Sequence, residues 1–282
     1  MMATLAPTDH WQRIVAAPDA EMDLARAALV IAAAEYPDLD IDAYLDRIDD
    51  MAARLGRRLR GDIPPTETII ALNHYLFEEL GFAGNDTDYY DPRNSYLNEV
   101  LDRRLGIPIT LSLVYIEIGR RVGLELYGIS FPGHFLVGCM VRGGALVLDP
   151  YARGISLGVE DLQQRIRQLR NGIELDPQAV KSMISAAGNK EIVVRLLRNL
   201  KEIYLHENEM MKALSAAGRI IDVAPDAAEE YRDRGRIYLD LECFRAALAD
   251  FSRYLLLKPG AADAAAIVKH VAALRQIASR LN

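Results

Sequence analysis

Cysteine is scarce in this chain of 282 residues, which contains only Cys139 and Cys243. The two are far apart in sequence and fall in different predicted regions. A disulfide framework and a cysteine-rich metal site are therefore excluded. Two unpaired thiols fit a reducing compartment, so the sequence predicts a cytoplasmic protein.

Long apolar runs and an excess of positive charge are also missing. The run Ala27–Ala34 (AALVIAAA) is far shorter than the roughly 20 residues that a membrane span needs. Glu21 and Asp23 precede it, where a signal peptide would carry basic residues. The formal net charge is −7, whereas nucleic acids and anionic lipids bind cationic faces. We therefore expect neither nucleic acid nor a membrane as a partner.

What the chain does have is enough apolar sequence, 51% of residues, for two or three packed units. The hydrophobic period divides it into a helical region (1–90), an α+β region (91–180) and a second helical region (181–282). In the first region, prolines, acidic first turns and a closing Gly81 mark the helix ends. Helices are predicted there at 19–36, 40–61 and 66–80, followed by a loop at 81–95.

The α+β region has a helical and a strand-like half. A helix at 95–105 ends at Gly106, and Pro108 suits the first turn of the next helix, where its missing N–H costs nothing. That helix, at 109–122, is apolar on most sides and should be central and buried. Strand patterns follow at 126–131, 134–141 and 145–149, with a tight hairpin turn at Arg142–Gly144.

The last region repeats with a period of 34 residues, which is typical of tetratricopeptide repeats. The period relates Tyr204 to Tyr238 and Pro225 to Pro259. The second repeat matches the pattern at Tyr231, Gly235, Tyr238, Ala247, Phe251 and Pro259. The first repeat departs from it at Leu197, Lys201 and Ala217. A terminal helix at 262–281 should cap the exposed face, and because two repeats bury little alone, they should dock on the α+β region.

The most informative pair of residues is His134 and Asp149. Alternation along 134–141 puts Cys139 on the face opposite His134. Each plausible hairpin register pairs Asp149 with residue 134, 136 or 138, on the His134 face. The sequence thus predicts a His–Asp contact, which can orient a catalytic imidazole. The same contact can also be a purely structural hydrogen bond, with Asp149 starting the turn at Pro150.

Three motifs carry a resemblance to a known family: LNEVLDRRLGIPITLSLVYIEIGRRVGLEL, PGHFLV and LDPYARG. Residues from about 97 to 157 resemble the transglutaminase-like domain of the SirB-type family, a bacterial, invasion-regulator-like group. That family joins a helical N-terminal region, this domain and tetratricopeptide repeats, in the order found here. The resemblance implies a papain-like α+β centre.

In active transglutaminase-like and papain-like proteins a cysteine stands at the start of the central helix, where the helix N-terminus and a histidine activate it. The resemblance places that position at Pro108, which has no nucleophilic side chain. His134 and Asp149 match the other two triad positions. Two hydroxyls in the first turns of the helix, Thr110 and Ser112, are alternative nucleophiles. His134 and Asp149 are only two candidate ligands where a catalytic zinc needs three, so neither a metal nor another cofactor is expected.

Three functions follow from this sequence. The leading one is a transglutaminase-like domain that is non-catalytic or altered, a pseudoenzyme that binds a protein or peptide and regulates through binding. The second is a hydrolase or acyltransferase in which His134 and Asp149 drive a hydroxyl or water nucleophile. In the third, the protein is a structural adaptor and the pair only braces the hairpin.

Overall fold

The fold is described from a computed structural model, which covers residues 7–170 and 175–280. The chain divides into two compact units, Met1–Leu196 and Leu197–Asn282. The helical and α+β regions expected from the sequence both lie in the first unit. Within the described ranges, no helix is both long and apolar enough to cross a membrane.

Short helices build the N-terminal part of the first unit: α1 (Pro7–Ala16), α2 (Leu24–Ala32), α3 (Ile41–Gly56) and α4 (Pro65–Asn73). Asp23 and Asp40 cap α2 and α3 by accepting hydrogen bonds from backbone N–H groups. The first predicted helix is therefore shorter than expected, because Asp19–Glu21 forms a separate 3₁₀ turn and α2 begins only after Asp23. The helix predicted at 66–80 is α-helical only to Asn73, and continues as a π-helix over His74–Glu79.

Two strands of two residues each precede the central helix. Between them lies α5 (Leu97–Arg103), which ends at Arg104 in the left-handed region with φ 63°. Strands β1 (Ala83–Gly84) and β2 (Leu105–Gly106) pair in parallel. The predicted loop and the last residues of the predicted helix therefore form a small ribbon beside the start of α6 (Pro108–Arg121).

The sheet has four antiparallel strands in the order β3–β4–β5–β6. They are β3 (Leu126–Ile129), β4 (Leu136–Val141), β5 (Gly144–Asp149) and β6 (Ile155–Leu157). Val141 pairs with Gly144 across a two-residue turn, and both Gly143 and Gly144 have positive φ, which glycine adopts at little cost. Val137 pairs with Leu148, so Asp149 falls opposite position 136, one of the three expected registers.

Helices cover both faces of this sheet. On one face Gly119 of α6 comes so close to Leu126 that a Cβ atom would lie 2.3 Å from the leucine side chain, and Cys139 is fully buried beside Leu126. The other face packs on α7 (Val159–Leu169) and α8 (Pro177–Ser182). Its core cluster comprises Ile129, Phe131, Leu136, Val147, Leu162, Ile166 and Val180.

The second unit is a stack of helices: α9 (Asn189–His206), which starts in the first unit, α10 (Met210–Val223), α11 (Ala228–Asp240), α12 (Phe244–Leu257) and α13 (Ala264–Arg280). The repeat positions pack as the 34-residue pattern predicts. A Cβ atom on Gly235 would lie 2.8 Å from the Phe251 ring, and Ala247 is fully buried. Ile267 and Val271 of α13 join the same core, as expected for a capping helix.

Candidate functional site

The structure brings His134 and Asp149 into direct contact. His134 lies in the turn before β4, not within the strand, and its Nε2 is 2.9 Å from Oδ1 of Asp149. The Asp149 side chain is 1% exposed and that of His134 is 18% exposed. The imidazole is thus held at one nitrogen by a buried carboxylate and reaches solvent at its edge.

Asp149 has further partners, of which the sequence pointed only to the turn that starts at Pro150. Arg165 of α7 donates from Nη2 to Oδ2 at 2.6 Å. The backbone N–H groups of Tyr151 and Ala152 donate to Oδ1 at 3.1 and 3.3 Å, which caps the short 3₁₀ helix that follows β5. Burial opposes ionisation of the Asp149 carboxyl, but His134 and Arg165 outweigh it and hold its pKa below the ordinary value.

A tyrosine stands beside the imidazole. The rings of Tyr151 and His134 meet edge to face with centroids 5.9 Å apart. The Tyr151 hydroxyl donates to Oδ1 of Asp86 at 2.6 Å. Gly84 of β1 leaves room for this ring, because a Cβ atom there would lie 2.5 Å from it. The β1–β2 ribbon therefore positions Tyr151 against His134.

Pro108 is the first residue of α6 and is buried. Thr110 completes the helix start: its Oγ1 accepts from the N–H of Ile107 at 3.1 Å and donates to the carbonyl of Asn94 at 2.8 Å. The first interaction is that of a capping residue, and the second ties the helix start to the segment before α5. Thr110 is 1% exposed, and its hydroxyl is hydrogen-bonded to backbone groups. Both facts disfavour this hydroxyl as a nucleophile.

Ser112 and Cys139 are also buried. Ser112 Oγ lies 3.5 Å from the carbonyl oxygen of Phe135, one residue from His134, so this hydroxyl joins α6 to the turn before β4. Burial raises the pKa of the Cys139 thiol, the opposite of what an activated cysteine requires. The remaining thiol, Cys243, is exposed at the N-cap of α12 in the second unit.

Two features of the site could not be found from the sequence. Arg165 lies in a segment for which the sequence analysis predicted no element, and Tyr151 was only part of the LDPYARG motif. The spacing of 16 residues between Asp149 and Arg165 indicates no contact by itself, because it is the packing of α7 on the sheet that creates it. Across 7–170 and 175–280, no group of three or more His, Cys, Asp or Glu side chains is placed to hold a metal ion.

The second unit contains a buried ionic cluster where the first repeat departs from the pattern. Lys201, at the glycine position of that repeat, is 2% exposed. Its Nζ donates to Glu230 at 2.7 Å and to Asp233 at 3.2 Å, and Arg198 donates to the other oxygen of Glu230 at 2.7 Å. The lysine that replaces the glycine of the repeat pattern is therefore accommodated, because its buried charge pairs with the buried carboxylate of Glu230 in the next repeat.

Comparison with family models supports both parts of the predicted architecture. Residues 42–198 match the model of the transglutaminase-like superfamily, and residues 200–272 match a tetratricopeptide repeat model. The α+β centre followed by tetratricopeptide helices is thus confirmed.

Similar proteins occur in bacteria and in mammals. A UPF0162 protein of Xylella fastidiosa is 41% identical over 253 residues, covering 88% of this chain and 89% of its own length. A UPF0162 protein of Pseudomonas aeruginosa is 33% identical over 234 residues, covering 83% and 84%. Human F-box only protein 21 is 32% identical over 186 residues, which are 57% of this chain and 28% of that protein.

Proposed function

Because the chain belongs to the transglutaminase-like superfamily and to the family of UPF0162 proteins, we propose that it binds a protein or peptide and acts through that binding. In this proposal the transglutaminase-like domain has kept a surface around His134 but does not use a cysteine nucleophile. Tetratricopeptide repeats generally mediate interactions between proteins, and the repeats at 200–272 suit the same role.

The observation that carries the proposal is Pro108 at the first position of α6. A nucleophile activated by a helix N-terminus needs a side chain there that can ionise, and proline has none. Cys139 is no substitute, since it is buried on the sheet face that packs on α6 and its pKa is raised.

A second candidate function keeps chemistry at the same place. The His134–Asp149 contact at 2.9 Å favours a hydrolase or acyltransferase that uses His134 as a general base toward water. Asp149 would then orient the ring. This candidate requires substrate turnover that depends on His134. The binding proposal requires no turnover.

The SirB-type assignment and a cytoplasmic location are finer parts of the same proposal. The resemblance of PGHFLV and LDPYARG supports the first. The two free thiols, Cys139 and Cys243, support a reducing environment.

The test compares binding and turnover in matched variants. The tagged full-length chain, its His134→Ala variant and an Arg142→Ala control are expressed in Pseudomonas aeruginosa, crosslinked and purified, and the bound proteins are quantified by mass spectrometry. Arg142 is an exposed residue of the hairpin turn. We expect at least one protein to be lost about tenfold or more from His134→Ala and retained by the control.

The purified proteins are also incubated with a panel of thioester and amide substrates. Hydrolysis that the wild type performs and His134→Ala does not would replace the binding proposal with the second candidate. Identical bound proteins in all three samples, with no hydrolysis, would leave the pair as a brace of the hairpin and overturn both.

A further inference from the structure

A second site in the first unit centres on Arg104, the residue at which α5 ends. Helices often end with a glycine in the left-handed region, because glycine lacks the Cβ atom that makes this conformation costly. Arg104 adopts the same conformation with φ 63°. The backbone at position 104 therefore favours glycine, and what an arginine adds there is its side chain.

The Arg104 guanidinium has no oxygen acceptor among the residues that the structure describes. Its Nη1 lies 3.8 Å from the sulfur of Met51, a weak acceptor, and its carbon lies 4.7 Å from the centroid of the Phe82 ring. In the same part of the chain Arg153 is the other arginine with positive φ, and it donates to a backbone carbonyl and to Glu78. Arg104 is thus a cation held against an aromatic ring, with N–H groups left for a ligand.

Arg104 lines a cavity of about 360 Å³ that lies against one face of α3. We call this cavity the Arg104 pocket. Its volume is at the lower end of the range for ligand-binding clefts, roughly 300–1,000 Å³. Ala43, Met51 and Leu80 form the apolar part of its lining. The pocket therefore suits a small organic molecule better than a segment of a protein.

The surroundings of Arg104 are short of acceptors. Burial and the charge of Arg47 lower the pKa of Arg104 from its ordinary value. The nearby carboxylate of Asp102 is held by Arg47 and by the Tyr44 hydroxyl, which donates to it at 2.6 Å. The buried hydroxyl of Tyr75, which interacts electrostatically with Arg104, has no hydrogen-bond partner in the described part of the chain. An anion beside Arg104 would compensate its partly buried charge.

Two carboxylates line the same pocket and limit what this anion can be. Asp46 and Asp50 are exposed on α3 and, together with the exposed Arg54, give the rim two negative charges and one positive charge. The charges that act on Arg104 do not include theirs, so these carboxylates do not neutralise it. They would, however, repel a second negative charge on a ligand.

From these contacts we propose that the Arg104 pocket binds a small organic monocarboxylate with a short aliphatic part. The carboxylate pairs with Arg104, whose planar guanidinium matches two carboxylate oxygens. The aliphatic part lies against Met51 and Leu80. A phosphate monoester carries close to two negative charges at pH 7 and would be repelled by the rim. The proposal does not depend on the one made for His134.

Saturation-transfer NMR on the full-length chain tests the chemistry of the ligand with probes of similar shape. The probes are hexanoate, its neutral amide hexanamide, the dicarboxylate adipate and hexyl phosphate. We expect transfer of saturation from the protein to hexanoate. Hexanamide lacks the charge that pairs with Arg104, and the other two carry a second negative charge, so each should bind about tenfold or more weakly than hexanoate.

Two substitutions test the location. Arg104→Gly removes the guanidinium and supplies the residue that the backbone conformation favours, and it should weaken hexanoate binding about tenfold or more. Arg153→Gly is the matched control, the same substitution at the other left-handed arginine, and should leave the affinity unchanged. Ala43→Phe fills an exposed part of the pocket lining and should weaken binding by a similar factor. His134→Ala should bind hexanoate normally, which separates this site from the proposed function.

Several results would overturn the proposal. They are the absence of saturation transfer to hexanoate, binding of hexanamide as tight as that of hexanoate, and a preference for adipate, hexyl phosphate or inorganic phosphate. Undiminished binding by Arg104→Gly would also overturn it. Circular dichroism melts show whether each variant is folded, and if Arg104→Gly is not, undiminished binding by a folded Ala43→Phe would overturn the location.

Discussion

Substitution of Asp149 tests how the His134 turn, the end of β5 and α7 are held together. Its buried carboxylate accepts four hydrogen bonds, two from the charged or chargeable side chains of His134 and Arg165 and two from the backbone. Breaking a buried ionic contact by removing one partner costs about 3–5 kcal/mol. Since His134 and Arg165 are 18% and 28% exposed, they can regain some water, and the lower end, about 3 kcal/mol, is expected for Asp149→Ala.

Asp149→Asn separates charge from shape. An asparagine oxygen can still accept from the backbone N–H groups of Tyr151 and Ala152, so the cap is retained and the charge is lost. A hydrogen bond to a charged group contributes about 1.5–3 kcal/mol, and we expect a loss in the free energy of unfolding of about that size. Asp176 is the matched control: it caps α8 by accepting from Gln178 at 2.8 Å and is exposed, so Asp176→Asn should cost under about 0.5 kcal/mol.

The free energy of unfolding lost in Asp149→Asn should become smaller at low pH. The pKa of Asp149 is lowered in the folded protein, so its contribution is complete above the unfolded value of about 3.9 and is lost as pH falls through the folded pKa. The difference between wild type and Asp149→Asn should therefore shrink below about pH 4.

The measurement can be confined to the first unit. The chain has a single tryptophan, Trp11, which is 4% exposed in that unit, so its fluorescence during urea unfolding reports on the unit that contains Asp149. An Asp149→Asn variant within 0.5 kcal/mol of wild type at pH 7, or a difference that grows below pH 4, would refute the assignment of Asp149 as an ionised anchor.

Three further predictions concern other residues. Pro108→Cys should place a thiol at the N-terminus of α6 with a pKa below the free value of about 8.5, so this thiol should be alkylated faster at pH 6 than a model thiol. Adding His134→Ala should remove most of that gain in rate. A folded Pro108→Cys variant whose thiol titrates like free cysteine would show that α6 and His134 are not aligned as inferred. Lys201→Ala should destabilise the second unit by about 3 kcal/mol, because it leaves Glu230 buried with one cation fewer, and a change under 0.5 kcal/mol in the far-ultraviolet circular dichroism melt would contradict the buried pair. Iodoacetamide under native conditions should spare Cys139, whose thiol is buried with a raised pKa; its rapid modification would disprove that burial.

Sequence periodicity was sufficient to predict the structure of a segment where the segment is long or where its register decides which side chains are buried. The central helix starts at Pro108 as expected, and position 136, one of the three partners that the hairpin alternation allowed, lies opposite Asp149. The repeat spacing likewise anticipated the packing of Gly235 on Phe251. Each of these rests on local rules: helix starts, strand alternation and a fixed period.

Shorter or non-local features escaped those rules. Strands β1 and β2 have two residues each, too few to show alternation. The π-helix at His74–Glu79 has the composition of the α-helix it continues. Arg165 and Lys201 take part in ion pairs made by tertiary packing, and an exposed and a buried charge have the same appearance in a single sequence.

The Asp149 carboxylate is shared between His134 and Arg165, and this sharing bears on the choice between binding and catalysis. In a catalytic triad the carboxylate stabilises the imidazolium that forms during proton transfer. Here Arg165 already places a permanent positive charge 2.6 Å from Oδ2, so it competes with an imidazolium for the same negative charge. The arrangement therefore fixes the orientation of the His134 ring through a carboxylate whose negative charge is shared with Arg165. That balance suits an imidazole edge presented with Tyr151 as a contact surface, and it is the electrostatic reason for placing binding ahead of hydrolysis at this site.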